Sequence, residues 1–492
     1  MLFPSLIFLF GYLPVALAGF LLLERLERKW SLLWLAGASL VFYGWWNPSH
    51  VALLLFSIAV NYYLGLGLQG SRHRRLLLIV AVGFNVTSLI VFKYSAFAIS
   101  NLNELIGLGL PVIALHLPLA ISFFTFQKIA YLVDVSKGKV RNHSVLDYLA
   151  FVTFFPQLIA GPITRFEEMQ PDLRRERSAF QKWQDIAMGL ALISIGLAKK
   201  VLLADRLARI VDPTFALAAA STPISSFDAW VGAVAYALQL YFDFSGYADM
   251  AIGLGRLFGF TLPINFDSPY KATGIVDFWR RWHMTLSRFL RDYLYIPLGG
   301  NRRGIWRRDA NLLIVFLVAG FWHGAAWTFV IWGLVHGLLL IVNHHYLDWY
   351  RGVAGLHRIP AAVQRGFART FTFLLLVCTW VIFRAGTVET ATEFFRSMFG
   401  LKSGAASTVT LGSTAAVLVL TFVVWWAPNA YEYLNGCFGP DARAKHGERQ
   451  GTQTWWQWRP TLVHAVPLGV LSCISLAAIA LSQSRIFLYF QF

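Results

Sequence analysis

Apolar runs of about 20 residues, the length needed for a helix to cross the roughly 30 Å hydrocarbon core of a bilayer, recur along nearly the whole chain. The first five lie at residues 2–23, 31–46, 51–69, 76–97 and 111–135. Later ones lie at residues 186–204, 228–260, 310–347, 366–384, 410–434 and 462–482. The pattern predicts an all-α integral membrane protein with about 10–12 transmembrane helices, in which residues 310–347 form one long span or a span with a bent end.

Residues 147–163 are apolar but unsuited to a straight span, because they contain Pro156, Gly161 and Pro162. Proline removes a backbone donor and interrupts helical hydrogen bonding. The freed backbone groups cannot face lipid, so we expect a broken or re-entrant segment that is shielded by protein. A polar, amphipathic stretch at residues 165–185 follows.

Basic residues follow the first, third and fifth apolar runs, whereas the connections at residues 47–50 and 100–109 contain no Lys or Arg. This alternation predicts that the N-terminus is outside and that the basic loops are cytoplasmic. The net charge of +17 is then explained by orientation and by anionic headgroups. Membrane lipids, and not nucleic acid, are therefore the expected partners, although a phosphate-bearing donor at the same face is also compatible with this charge.

Composition agrees with this class, since 57% of the residues are hydrophobic and 14% are charged, against about a quarter charged in soluble proteins. We expect a single membrane domain over residues 1–492. Its parts are N-terminal spans at 1–136, a central core at 137–385, and C-terminal spans at 386–492 with a polar, cytoplasmic loop at 435–461. The first run is too long for a signal-peptide core and should stay in the membrane. The three cysteines suggest neither a disulfide framework nor a metal site, and no glycine-rich phosphate loop or serine-nucleophile elbow is present.

The densest polar segment, residues 277–296, separates into two faces when wound as one helix. The arginines, including Arg280 and Arg281, share one face, and Trp282 lies among the apolar residues of the other. This predicts an amphipathic helix whose basic face meets headgroups. His283 falls on the apolar side, either as a packed histidine bonded to a neighbour or as a functional group.

His323 lies in an apolar run, three residues after Gly320 and four before Trp327. Ionisable groups at membrane depth are costly, which makes this histidine a functional candidate. A neutral imidazole suits removal of a proton from a hydroxyl, but a structural histidine bonded to another helix explains the same position. Gly320 and Gly324 form a pair of small residues that favours close helix approach. We interpret His336 as a packing residue.

Asp243 and Tyr247 lie one helical turn apart in an otherwise apolar segment. A buried carboxylate needs partners. It either orients a catalytic histidine or belongs to a structural network of ions and hydrogen bonds, and the sequence favours neither.

These segments resemble those of the membrane-bound O-acyltransferase superfamily, most closely its bacterial alginate O-acetyltransferase-like branch. The matching stretches occur in the family's order and cover most of the chain to about residue 385: they are residues 117–126, 155–162, 239–255, 265–266, 269–270, 277–295, 298–302 and 320–332. The C-terminal hundred residues match only as hydrophobic spans.

The resemblance implies a multi-helix bundle around a central tunnel, with His323 at the family's signature histidine and His283 at its second histidine. Asp243, Tyr247, Trp282 and Trp327 are the expected supporting residues. The expected donor is a cytoplasmic acyl thioester, acetyl-CoA, with no permanently bound cofactor and no metal. The residues expected to hold its phosphates are Arg280, Arg281, Arg302 and Arg303.

The resemblance further implies an enzyme of the bacterial inner membrane that moves an acetyl group towards hydroxyls of an exopolysaccharide such as alginate, with periplasmic O-acetylation proteins as partners. Two other classes of function are compatible with the residues. A transporter or flippase would use the intramembrane His and Asp to line a path, and a scaffold would need neither histidine.

Overall fold

The computed structural model of the protein describes residues 1–107, 109–112, 115–352, 360–402, 404, 409–434, 456–481, 485 and 487–488. These residues form helices and connecting turns, without β-strands. The predicted all-α class is confirmed. Cys437 and most of the predicted polar loop at 435–461 lie outside the described residues.

Seven of the described helical segments are long and apolar enough to cross a membrane. They are Ile7–Glu24, Ser49–Gly70, Arg74–Ile106, Ala179–Ala219, Trp327–Tyr350, Ala361–Arg384 and Leu462–Leu481. Other predicted spans correspond to helices that are shorter or less apolar, such as Arg28–Gly44 and Ser226–Leu257. The chain is therefore a multi-pass membrane protein, while the predicted orientation stays a prediction.

The chain separates into two compact units, and the prediction of one membrane domain around a tunnel stays a prediction. The first unit comprises Met1–Leu197, Tyr247–Ile264 and Ala465–Ile486. Its helices are α1 (Leu13–Glu24), α2 (Arg28–Gly44), α3 (Ser49–Gly70), α4 (Arg74–Leu89), α5 (Ser95–Ile106), α6 (Ile121–Ser136), α7 (Val145–Thr153), α8 (Phe155–Leu158), α9 (Phe166–Arg174) and α10 (Ala179–Leu197).

The second unit comprises Ala198–Gly246, Asn265–His464 and Phe487–Phe492. It begins with a π-helical turn, Ala198–Ala204. The α-helices that follow in the chain are α11 (Asp205–Ala219), α12 (Ser226–Leu257), α13 (Ile275–Arg281), α14 (Met284–Leu290), α15 (Ile305–His323), α16 (Trp327–Gly352), α17 (Ala361–Arg384), α18 (Val388–Met398), α19 (Leu411–Trp426), α20 (Ala430–Leu434) and α21 (Leu462–Leu481). Helix α12 enters the first unit at Tyr247, and α21 enters it at Ala465.

The segment at residues 147–163 is broken and shielded, as expected. Helix α7 begins with a capping box in which the Ser144 and Asp147 side chains bond each other's backbone N–H. It ends at Thr153, because Phe154 leaves the helical region and Pro156 opens the next short helix. Residues 150–164 are buried throughout, so their backbone groups are kept from lipid.

Several predicted spans have different bounds, and the run at residues 410–434 is divided into Leu411–Trp426 and the short helix Ala430–Leu434. The span at residues 111–135 becomes α6, which starts only at Ile121 because Pro111 and Pro118 interrupt the preceding apolar stretch. The run at residues 186–204 continues in helical form to Ala219.

A network of buried and half-buried ion pairs joins the end of α1 to α10 and its preceding segment within the first unit. Glu24 accepts from Arg28 at 2.7 Å, from Lys182 at 2.9 Å and from Arg177 at 3.4 Å. Arg177 also contacts Asp185 at 3.2 Å, and its side chain is almost completely buried. Mutual neutralisation makes burial of these charges tolerable.

The run at residues 310–347 is neither one span nor a span with a bent end. It contains two helices, α15 and α16, which are separated at residues 324–326. The helices are antiparallel, since Gly320 faces Phe329 and Gly333, whereas Gly337 faces Leu313 and Phe316. Gly320 does mark a close helix contact, as predicted, while Gly324 lies in the connection.

Replacement of Gly320 by alanine should destabilise this hairpin. The added Cβ would overlap the carbonyl oxygen of Phe329, and overpacking of this kind costs about 1–3 kcal/mol. Gly366→Ala in α17 is the matched control, because nothing lies within 4 Å of its Cβ position. Thermal unfolding in detergent should show a lower midpoint for Gly320→Ala alone. Equal midpoints for the two variants would contradict the close approach.

Candidate functional site

The two candidate histidines both lie in the second unit, each at a break between helices. His323 is the last residue of α15, and the extended backbone of Gly324 follows it. His283 stands between α13 and α14 in the left-handed backbone region, with φ = 42°. Both are buried, so their solvation by water is replaced by packing against protein.

The predicted continuous amphipathic helix at residues 277–296 is wrong. Helix α13 ends at Arg281, Trp282 is extended, and α14 starts again at Met284 before a π-helical turn at Arg291–Tyr295. The segregation of side chains is nevertheless as predicted, since Arg280 is exposed and Trp282 is buried. The break turns His283 inward as the residue that precedes α14.

Asn265 holds this break in place from a separate part of the chain. Its backbone C=O accepts from Met284 N–H at 2.9 Å. Its side-chain Oδ1 accepts from the backbone N–H of Thr285 at 3.2 Å and from the Thr285 hydroxyl at 2.9 Å. The same Oδ1 lies 3.2 Å from His283 Nδ1. Asn265 thus satisfies the free N–H groups at the start of α14, the role of a helix N-cap.

Aromatic rings pack against both histidines. Phe244 meets the His283 ring edge-on, with 4.8 Å between centroids. The Trp322 ring is 6.0 Å from that of His283 and 5.0 Å from that of His323. This single indole therefore contacts both candidates, and it brings the two helix breaks to one region of the second unit.

Two further rings that pack on His323 come from α16 and α17. Trp332 and Phe383 meet its ring edge-on at 5.0 and 5.1 Å. Trp380 packs on Trp282 at 5.0 Å and on Phe383 at 5.5 Å. Trp282 is thus linked to the ring shell of His323 through Trp380 and Phe383, and its supporting role stays a prediction. Trp327, predicted alongside it, begins α16 with about half of its surface exposed.

His336 is a structural histidine, as interpreted from the sequence. Its Nδ1 accepts from the Trp279 indole N–H at 3.2 Å, and its Nε2 lies 3.1 Å from the Thr379 hydroxyl. That hydroxyl donates to the carbonyl of Leu376, so it accepts from Nε2–H. Both ring nitrogens are therefore bonded to protein, and His336 ties α13 to α16 and α17.

Asp243 has a lysine as its partner. Lys200 Nζ lies 2.6 Å from Asp243 Oδ1 and 2.8 Å from Asp205 Oδ1, and all three belong to the second unit. The backbone N–H of Leu488 donates to Asp243 Oδ2 at 2.9 Å. These bonds support a structural ion network, the second of the two roles left open by the sequence. The signal for it was Lys200 itself, a cation within an apolar run.

Tyr247 lies in the part of α12 that belongs to the first unit. There its ring stacks on Phe3 with 4.8 Å between centroids. The structure therefore gives Tyr247 a packing partner other than the carboxylate of Asp243, with which it was paired in the sequence.

The arginines predicted to hold the donor differ in their surroundings. Arg281 is engaged by Asp277 at 2.8 Å and by Asp267 at 3.8 Å. Arg280, Arg302 and Arg303 are exposed, and none of the carboxylates in the described part of the chain lies within ion-pair distance of them. Exposed arginines of this kind suit phosphate groups, which bind planar guanidinium groups in a bidentate manner. Among the described residues, no group of three His, Cys, Asp or Glu side chains forms a metal site.

The structure defines an all-helical, multi-pass membrane protein with buried histidines at two helix breaks. The model of the membrane-bound O-acyltransferase family matches residues 90–383, which include both histidines. The chain belongs to this family and is an O-acyltransferase.

Similar proteins come from several bacteria. The peptidoglycan O-acetyltransferase of Helicobacter pylori is 43% identical over 82% of this chain and 80% of its own length. The probable alginate O-acetylase of Pseudomonas putida is 37% identical over 100% of both chains. The teichoic acid D-alanyltransferase of Streptococcus thermophilus is 28% identical over 49% of this chain and 62% of its own length.

The assignment of Asp243 to a structural network can be tested with a double-mutant cycle. Lys200→Met should lower stability by about 3–5 kcal/mol, because it leaves a carboxylate buried without its cation. Asp243→Asn added to Lys200→Met should recover part of the loss, since a neutral amide is cheaper to bury. Thermal unfolding of the two single variants and the double variant measures the coupling. Additive losses would contradict a direct Lys200–Asp243 interaction.

Proposed function

We propose that the chain transfers an acetyl group from acetyl-CoA, supplied at the cytoplasmic face, to hydroxyl groups of a cell-envelope polysaccharide such as alginate. The full-length similarity to a probable alginate O-acetylase supports both the acetyl group and a sugar acceptor. The buried His323 at the end of α15, inside the matched region, carries the proposal.

The proposed reaction is an acyl transfer. A hydroxyl oxygen attacks the thioester carbonyl carbon, the C–S bond breaks, and the coenzyme A thiolate leaves and takes up the proton that the hydroxyl group gave up. His323 accepts the hydroxyl proton as general base, a contribution worth roughly 10²–10⁴-fold in rate. His283 acts next to it, either on the thioester carbonyl, on the leaving thiolate or on a hydroxyl group. Holding both reactants in a shielded site contributes further through their positioning.

Two acceptors deserve comparison. Similarity to alginate O-acetylases favours an exopolysaccharide, while the peptidoglycan O-acetyltransferase of H. pylori favours the cell wall as a second candidate. We also propose that the protein resides in the inner membrane and that periplasmic proteins complete delivery to the polymer. A strain that lacks the gene should lose acetyl esters from one of these two polymers, and saponification of each purified polymer identifies which.

The alternative function is that of a transporter or flippase for a lipid-linked or acyl substrate. It would move its substrate without acyl-CoA turnover. Purified protein in proteoliposomes separates the two functions: the enzyme releases coenzyme A in proportion to acetyl ester formed, and a flippase redistributes lipid with no release of coenzyme A.

His323→Ala and His323→Gln should both abolish acetyl ester formation while the proteins remain inserted and monodisperse in detergent. The loss is expected because neither side chain can take up a proton near neutral pH. His50→Ala, a change at a part-buried histidine of the first unit, is the matched control and should retain the esters. Retained esters in the His323 variants would exclude the general-base role.

The donor-binding arginines can be separated from arginines that bind only lipid headgroups. Arg302→Gln with Arg303→Gln should raise KM for acetyl-CoA several-fold and should weaken its dependence on salt, since screening acts on exposed charges. Arg72→Gln with Arg75→Gln removes two exposed charges from another predicted cytoplasmic loop and is the control. Equal KM values in the two double variants would mean that none of the four arginines binds the donor and that all four contact only lipid headgroups.

A further inference from the structure

The side-chain amide of Asn265 determines which nitrogen of His283 carries the proton. Asn265 is completely buried, and its Oδ1 accepts a hydrogen bond from the backbone N–H of Thr285. A backbone nitrogen can only donate, so the amide atom at this position is the oxygen and not the nitrogen. The orientation of the amide is thereby fixed by the chain itself.

The same oxygen lies 3.2 Å from Nδ1 of His283. An amide oxygen can only accept, so Nδ1 must be the donor and must carry hydrogen. In a neutral imidazole only one nitrogen is protonated, and Nε2 therefore has a lone pair. His336 in the same unit shows the opposite state, because the indole N–H of Trp279 forces its Nδ1 to accept.

Backbone geometry makes this pairing specific. His283 has φ = 42°, an uncommon conformation for a residue other than glycine. It persists because Asn265 binds the two residues that follow His283, through the backbone N–H groups of Met284 and Thr285. Phe244 and Phe266 pack against the ring at 4.8 and 6.4 Å. The ring is thus held in rotation and in position by groups outside its own helix.

We infer that Asn265 is a positioning residue that keeps His283 protonated on Nδ1, so that its Nε2 accepts a hydrogen bond from a hydroxyl group of the acyl acceptor. This deepens the proposed function and rests on it. A neutral ring in this tautomer has no N–H at Nε2. It therefore cannot polarise the thioester carbonyl or protonate the leaving thiolate, and of the three roles open to His283 only the contact with a hydroxyl group remains.

The tautomer is measured directly by nitrogen NMR of protein labelled with ¹⁵N-histidine in lipid, at a pH where imidazole is neutral. The His283 signals are identified by their loss in His283→Phe. In the unmodified protein they should report a protonated Nδ1 and an unprotonated Nε2. Asn265→Leu, which has no acceptor at this position, should shift them towards protonated Nε2 and lower transfer at least about tenfold, as loss of the correct tautomer does in other enzymes.

Two further variants keep the test independent of folding. Asn265→Asp retains an oxygen acceptor and should retain the Nδ1–H signal, with more activity than Asn265→Leu. Thr285→Val removes one hydrogen bond to the same oxygen but leaves the His283 contact, so its tautomer should be unchanged. If Asn265→Leu does not fold, the unmodified protein and these two variants still decide the tautomer.

Protonated Nε2 in the unmodified protein, or an unchanged Nδ1–H signal in a folded Asn265→Leu, would overturn the inference. A shifted tautomer with undiminished acetyl transfer would overturn the contact with the hydroxyl group. The spectrum needs no substrate, so a protein that shows the Nδ1–H signal yet transfers no acetyl group to any polymer would refute the proposed function and leave the Asn265–His283 pairing intact.

Discussion

Hydrogen-bonding groups buried in this apolar chain cannot be solvated by water, and the structure shows the consequence at several charged side chains. An unsatisfied polar group in hydrocarbon costs several kcal/mol. Lys200 is therefore placed between Asp243 and Asp205, and Glu24 is surrounded by Arg28, Arg177 and Lys182. The fold is built so that these groups find partners within the same unit.

Helix breaks raise the same problem, because each one frees backbone N–H and C=O groups. The break at His283 is satisfied by Asn265, which bonds the first N–H groups of α14. The break at residues 324–326 lies between α15 and α16, at a point where Gly320 and Gly333 let the helix backbones approach closely. Both histidines thus lie where the chain is irregular and still buried, a combination that membrane proteins tolerate only within protein.

Much of the helical framework could be predicted from apolar runs, because the length of a run sets whether it can cross the bilayer. The break after Thr153 was also predictable, since proline and glycine mark it in the sequence. The breaks at His283 and at residues 324–326 were not recognised. Residues 277–296 keep a helical periodicity through the break at His283. Asn265, which stabilises this break, lies 18 positions before His283 in the chain.

The residues of the candidate site could be predicted better than the contacts between them. The sequence identified His283, His323 and Asp243 as candidate polar groups in apolar surroundings, and the family resemblance added Trp282 as a supporting residue. It could not identify Lys200 as the partner of Asp243, or Trp332 and Phe383 as the rings around His323, because these contacts join distant parts of the chain. Apolar periodicity predicts which face of a helix is buried, but it does not predict which other helix that face packs against.

Buried histidines with similar surroundings can still differ in chemistry, and the difference lies in the kind of atom that each ring nitrogen meets. Aromatic rings surround His283, His323 and His336 alike. The Trp279 indole N–H can only donate, so Nδ1 of His336 accepts, and Nε2 of the same ring is bonded to Thr379. Asn265 Oδ1 can only accept and assigns the proton of His283 to Nδ1. A histidine bonded to protein at both nitrogens is committed to structure, because a substrate contact would require one of those bonds to break. Burial alone therefore does not fix the chemistry of a histidine in such a protein; the donor or acceptor character of its fixed partner decides which ring nitrogen carries the proton.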